Sequence, residues 1–60
     1  MMKIKMKVKA IEIILEGKDL WKTITAFEKT SLGREIRKKH ELIVAKQEKN
    51  KIVVIYGELK

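Results

Sequence analysis

The stretch Lys3-Ile4-Lys5-Met6-Lys7-Val8-Lys9-Ala10 alternates lysine with an apolar residue without exception. Side chains of a β-strand point to opposite faces in turn, so this run read as a strand places four ammonium groups on one face and four apolar side chains on the other. It predicts a charged, half-buried strand. Beyond Ala10 the parity changes, because Ile11, Ile13 and Leu15 fall on odd positions where Ile4, Met6 and Val8 fell on even ones. A β-bulge or bend at Ala10-Ile11 accounts for the change within a single strand running from residue 2 to about 15. No turn residue stands before Gly17 to suggest a hairpin instead.

After Gly17, Asp19 is suited to cap a helix, since its carboxylate can accept from the unpaired amides of the first turn. Leu20, Ile24, Phe27, Leu32 and Ile36 then recur at helical spacing, while Lys22, Glu28 and Lys29 point away. Thr30-Ser31-Leu32-Gly33 interrupts this stripe and leaves two forms open. Either Thr30 or Ser31 caps a second helix, or one helix continues with a kink and carries Gly33 at a cost of ~1 kcal/mol.

From Glu41 the period changes again. Leu42-Ile43-Val44-Ala45 and Ile52-Val53-Val54-Ile55 are β-branched runs joined by polar residues, which predicts a hairpin turning at Glu48-Lys49-Asn50 with Asn50 taking any left-handed conformation. Both runs are continuous rather than alternating, so both faces of their strands should be covered. One helical region covers only one face. The expected fold is therefore α+β, a single β-α-β-β domain over residues 1–60. Its antiparallel sheet is backed by one kinked helix or two short ones, and completed by a second copy in a homodimer or higher homo-oligomer.

Composition points the same way. A chain of 60 residues buries only about 60% of its unfolded surface, and this one has no cysteine and a single histidine, so neither disulfides nor a structural zinc site can staple it. Oligomerisation is the remaining staple. The sequence is 38% charged with no proline, a Lys-, Glu- and Ile-rich bias that resembles thermophile proteins. No apolar run approaches the ~20 residues that span a bilayer, and Met1-Met2-Lys3 leads into no signal core. The expectation is a soluble cytoplasmic protein without membrane association.

Catalytic chemistry finds little material. His40 is the only group that ordinarily titrates near neutrality, and its place after Lys38-Lys39 suits a helix C-terminus better than a general base. Ser31 is the sole serine and lies in no nucleophile motif. Gly17, Gly33 and Gly57 are too dispersed for a phosphate loop. Glu12, Glu16 and Asp19 read as surface acids rather than a magnesium cluster. No enzyme activity, cofactor or metal is expected.

The net charge of +7 is the functional hint, because it is unevenly placed. Residues 1–9 carry four lysines and no acid, 10–33 are net −1, 34–39 are net +3 and 40–60 are net +1. Lys3, Lys5, Lys7 and Lys9, spaced about 6–7 Å apart on one strand face, could lie along a phosphate backbone without reading bases. Arg34, Arg37 and Lys38 fall on one side of a helix at i, i+3 and i+4 and form a second candidate clamp. Each has a simpler account. Lysines on an edge strand oppose edge-to-edge aggregation, and cations near a helix C-terminus offset the dipole. Trp21 and Tyr56 read as core or interface aromatics rather than base-stacking platforms.

Residues 3–39, read as strand, helix, turn and helix, are similar to ribbon-helix-helix repressors, in which a basic strand pair from a dimer enters the major groove. The apolar hairpin that follows departs from that pattern. Arg34-Glu35-Ile36-Arg37-Lys38-Lys39 with the later Lys51-Ile52-Val53-Val54 resembles the tail of swapped-hairpin AbrB-type regulators, without the looped Gly and Pro segment expected before it. Two functions remain in view: a small nucleic-acid-binding protein using the seven named cations, or a homo-oligomeric structural or protein-interaction module whose basic surface serves solubility.

Overall fold

The computed structural model describes residues 2–59 and shows an α+β arrangement with a four-stranded antiparallel sheet and two helices. The elements are β1 (Lys3–Lys7), β2 (Ala10–Glu16), α1 (Leu20–Glu28), α2 (Ser31–Lys39), β3 (His40–Glu48) and β4 (Lys51–Glu58), with strand order β1-β2-β4-β3. The long first strand expected from the sequence is instead a hairpin. Lys7 pairs with Ala10 and Ile4 with Ile13, so Val8 and Lys9 alone make the turn. Lys9 adopts φ 59°, the left-handed region that usually calls for Gly or Asn. A lysine there is strained, which is why no turn signal was visible.

The parity change now has a different cause. Residues directly opposite in an antiparallel pair share a face, and β1 pairs even positions with odd ones of β2: Ile4 with Ile13 and Met6 with Ile11. The switch at Ala10-Ile11 is the register of a two-residue loop rather than a bulge. The second hairpin lies where expected, with Lys49-Asn50 as its loop, yet Lys49 rather than Asn50 takes the positive φ, at 54°. A bulge does occur, between Leu42 and Val44 in β3.

Two helices, not one kinked helix, cover one sheet face. Asp19 caps α1 by accepting from the Lys22 amide at 3.1 Å. Thr30 caps α2: its Oγ1 accepts from the Gly33 amide at 3.0 Å while its hydroxyl donates to the Phe27 carbonyl at 2.6 Å, binding the end of α1 to the start of α2. Gly33 fits this junction because it lacks a Cβ; one placed there would lie 2.1 Å from the Phe27 carbonyl oxygen.

Ile11, Ile13 and Leu15 of β2 and Ile52, Val54 and Tyr56 of β4 form the floor of the core, roofed by Ile24, Phe27 and Ile36. Tyr56 is fully buried, its hydroxyl donating to Glu28 Oε2 at 2.9 Å, and Arg37 Nε approaches the same oxygen at 3.7 Å. Burial first, and the Glu28 carboxylate second, push the phenol well above its ordinary pKa. This cluster ties β4, α1 and α2 together.

One expectation about coverage changes. β1 is exposed along its whole length rather than half-buried, and Met6 on its apolar side is 74% exposed. Each helix is nine residues, about 13 Å by the helical rise, and both pack over β3 and β4, so their roof does not reach the far edge strand. On the opposite, helix-free face, Val53 is buried and Ile14 and Ile55 are half-buried within this one chain. Their neighbours there include Lys3, Lys5 and Lys46, whose aliphatic stems can shield part of such surface. Among the described residues only Ile43 and Val44 leave large apolar surface on that face, at 60% and 39% exposure.

Gly33→Ala tests the helix junction. Intrinsic propensity favours alanine by ~1 kcal/mol. Overpacking against the Phe27 carbonyl costs about 1–3 kcal/mol, and the clash is with backbone that cannot rotate away. Urea unfolding should show a net loss of stability; an unchanged or raised midpoint would show that the junction opens freely.

Candidate nucleic-acid interface

Strand register defines the helix-free face row by row. Lys7, Ala10, Gly57 and Glu41 form one row; Lys5, Glu12, Ile55 and Val44 the next; Lys3, Ile14, Val53 and Lys46 the third. Glu16, Lys51 and Glu48 follow. Lys3, Lys5 and Lys7 therefore make a ladder along β1 with rungs about 6–7 Å apart. Lys9 is not a rung. It sits in the turn, and its carbonyl accepts from the Glu58 amide at 2.9 Å.

The hairpin also brings an acid among the lysines, which the sequence order of β1 did not reveal. Lys7 Nζ lies 3.0 Å from Glu12 Oε1. The hydrogen bond from Lys7 is the main cause that lowers the Glu12 carboxyl from its ordinary value, and the fields of Lys7, Lys5 and Lys46 act in the same direction. Lys46 and Lys51 join this face from β3 and β4. Neither was picked out from the sequence, although strand parity finds them once β2 and β4 are known to be neighbours.

Arg34, Arg37 and Lys38 lie on α2, in the layer across the sheet from the lysine ladder. Arg37 is held against Glu28 and Lys38 against Glu35 at 3.2 Å, so two of the three are already engaged within the chain. Arg34 has no ion pair among the described residues. The fold thus unites Lys3, Lys5 and Lys7, sets Lys9 beside them in the loop, and keeps the α2 cations apart.

His40 caps α2, its Nδ1–H donating to the Ile36 carbonyl at 3.0 Å. No group of three or more His, Asp or Glu side chains that could hold a metal ion occurs among the described residues. Phe27 and Tyr56 are core aromatics, with ring centroids 6.2 Å apart. Trp21 is not, being 62% exposed on α1.

Compared with family models, curated proteins and solved structures, the chain matches none. No described helix is long and apolar enough to cross a membrane.

The Lys7–Glu12 pair makes a direct prediction. In the folded protein the Glu12 carboxyl should titrate below the usual carboxylate range, and Lys7→Ala should move it upward. A carboxylate depressed in the folded state stabilises it above the unfolded pKa, and that contribution fades as pH falls through the folded value. Side-chain NMR titration reads both. Equal midpoints in the two proteins would dissolve the pair in solution.

Proposed function

We propose that this chain is a small basic nucleic-acid-binding protein that contacts phosphates through the lysine ladder of β1. One observation carries the proposal: Lys3 and Lys5, with Lys7 beside them in its pair with Glu12, project in a single row from an exposed edge strand, on the face that the helices leave open. A regular row of ammonium groups suits a polyanion of repeating charge, and displacing condensed counterions supplies the binding free energy. Lys46 and Lys51 extend the basic surface across the sheet, while Glu12, Glu16, Glu41 and Glu48 on the same face limit it. Five lysines against four glutamates favour modest, salt-sensitive affinity. No aromatic side chain lies on that face to stack bases, so sequence preference should be weak.

Replacing Lys5 and Lys7 together by Glu turns attraction into repulsion. Affinity in a gel shift should collapse, and the slope of log affinity against log salt should shrink by about one unit per lost contact. Circular dichroism should stay native, since both side chains are exposed. Unchanged affinity would assign the ladder to edge defence instead.

Self-association is the second reading, and the state of β1 favours it. Among the described residues its outer edge has no strand partner, and Met6 with Val8, 91% exposed, lies bare on one side. A twofold perpendicular to the sheet would pair two β1 strands antiparallel and keep like faces together, setting apolar residues beside apolar ones and lysines beside lysines. The apolar part favours the pair and the like charges oppose it. Salt screens the repulsion, so light scattering should show association growing with ionic strength, opposite to the trend for phosphate binding. A folded monomer at every salt concentration would remove this second reading.

A further inference from the structure

The sole tryptophan stands on the other layer of the molecule. On α1 the buried positions are Ile24 and Phe27, with Leu20 packed beside them, and Trp21 lies one residue, about 100° of helical rotation, off Leu20. The neighbouring positions one turn on are Thr25 and Ala26, both small. A large indole followed by a low floor leaves an open groove of about 430 Å³, lined by Trp21, Lys22, Thr25, Ala26 and Lys29. One wall is aromatic and two cations flank it.

Those cations are free. Asp19, the acid nearest Lys22 in sequence, is occupied as the α1 cap; Glu28, next to Lys29, holds Tyr56 and Arg37; Glu35 holds Lys38. Neither Lys22 nor Lys29 has an ion pair among the described residues. Of the net charge of +7, residues 18–39, which form this layer, carry +4, so the indole stands in a positive field. Lys22 and Lys29 are seven residues apart, about 10 Å along the helix, a span that a single-stranded backbone crosses in one or two phosphates.

We infer that Trp21, Lys22 and Lys29 form a binding site for single-stranded nucleic acid, in which an unpaired base stacks on the exposed indole and the flanking phosphates meet the two lysines. A duplex does not serve, because its bases are already stacked on one another. A π-face tolerates any base, so the site should bind without sequence preference. The inference rests on the nucleic-acid reading but places a second contact on the opposite side of the sheet from Lys3, Lys5 and Lys7. Each surface can therefore be removed without touching the other.

The test uses the full chain and a twelve-residue oligothymidylate, its oligouridylate counterpart, a duplex of equal length and anionic phosphatidylglycerol vesicles. Trp21 is the only tryptophan, so its fluorescence reports on this groove alone. Single strands should quench it, and the duplex should not. DNA and RNA strands should act alike, since neither contact involves the 2′-hydroxyl. Trp21→Leu should weaken single-strand binding by about tenfold or more in fluorescence anisotropy with labelled strand, Trp21→Phe should restore part of it, and Lys29→Glu should lower the salt slope. Circular dichroism checks that each variant is folded.

Binding that is lost in the Lys5, Lys7 double variant but unaffected in Trp21→Leu would overturn this inference and leave the proposed function standing. Absence of binding to every nucleic acid would overturn both. A blue-shifted emission on vesicles without quenching by strands would overturn it too, assigning the indole to a lipid surface.

Discussion

The pairing of β2 with β4 is the interaction on which the rest of the molecule depends. It joins residues about forty positions apart and sets Ile11, Ile13 and Leu15 beside Tyr56, Val54 and Ile52 as one continuous apolar floor. Three of those side chains from β4 and one from β2 are entirely removed from solvent. β1 joins the sheet only through β2, while β3 pairs with β4, continues directly from α2 and lies under both helices, so β1 alone depends on the central pair for its place. The order is also costly in chain entropy, because the loop between β2 and β4 must close before its contacts form. The helices lie within that loop and supply the roof that makes closure favourable.

Glu28 has a comparable part in the helical layer. It accepts the hydroxyl of a buried tyrosine and faces Arg37, joining β4 to both helices through one carboxylate. A buried phenol left without an acceptor would cost about 1–3 kcal/mol. The arrangement also changes how the basic helix end is read, since Arg37 and Lys38 have acids of their own. Cations that look equivalent in a linear sequence are therefore separated by the fold into those held by acids and those facing solvent alone. Lys3, Lys5, Lys22, Lys29 and Arg34 fall in the second group among the described ion pairs.

Where the sequence misled, the cause was a local strain or a distant neighbour. The turn at Val8-Lys9 carries no Gly, Asn or Pro, and the left-handed conformation of Lys9 is imposed by strand pairing against its own preference, at roughly 1–2 kcal/mol. The parity change was visible, but a bulge and a two-residue hairpin shift parity alike. Glu12 meets the lysine ladder through the β1–β2 hairpin, and Lys46 shares its face only because β4 lies between β2 and β3, an order that no single segment encodes. The apolar stripe holds at Leu20, Ile24, Phe27 and Ile36 but not at Leu32, which is exposed, and Trp21, one position off the stripe, lies outside the core because its angle on α1 turns it to solvent.

The sequence by itself determined the local elements: the alternation of β1, the Asp19 cap, the helical spacing from Leu20 to Ile36, the hairpin near Lys49 and the basic excess. These rest on interactions within a few residues, where periodicity and capping are sufficient. Only the tertiary structure decided which faces are covered, which lysines are neutralised and which aromatic meets solvent. Coverage depends on the length of the helices relative to the width of the sheet, and neutralisation on acids brought from other strands. Both are relations between segments, and a chain read residue by residue holds no distance between them.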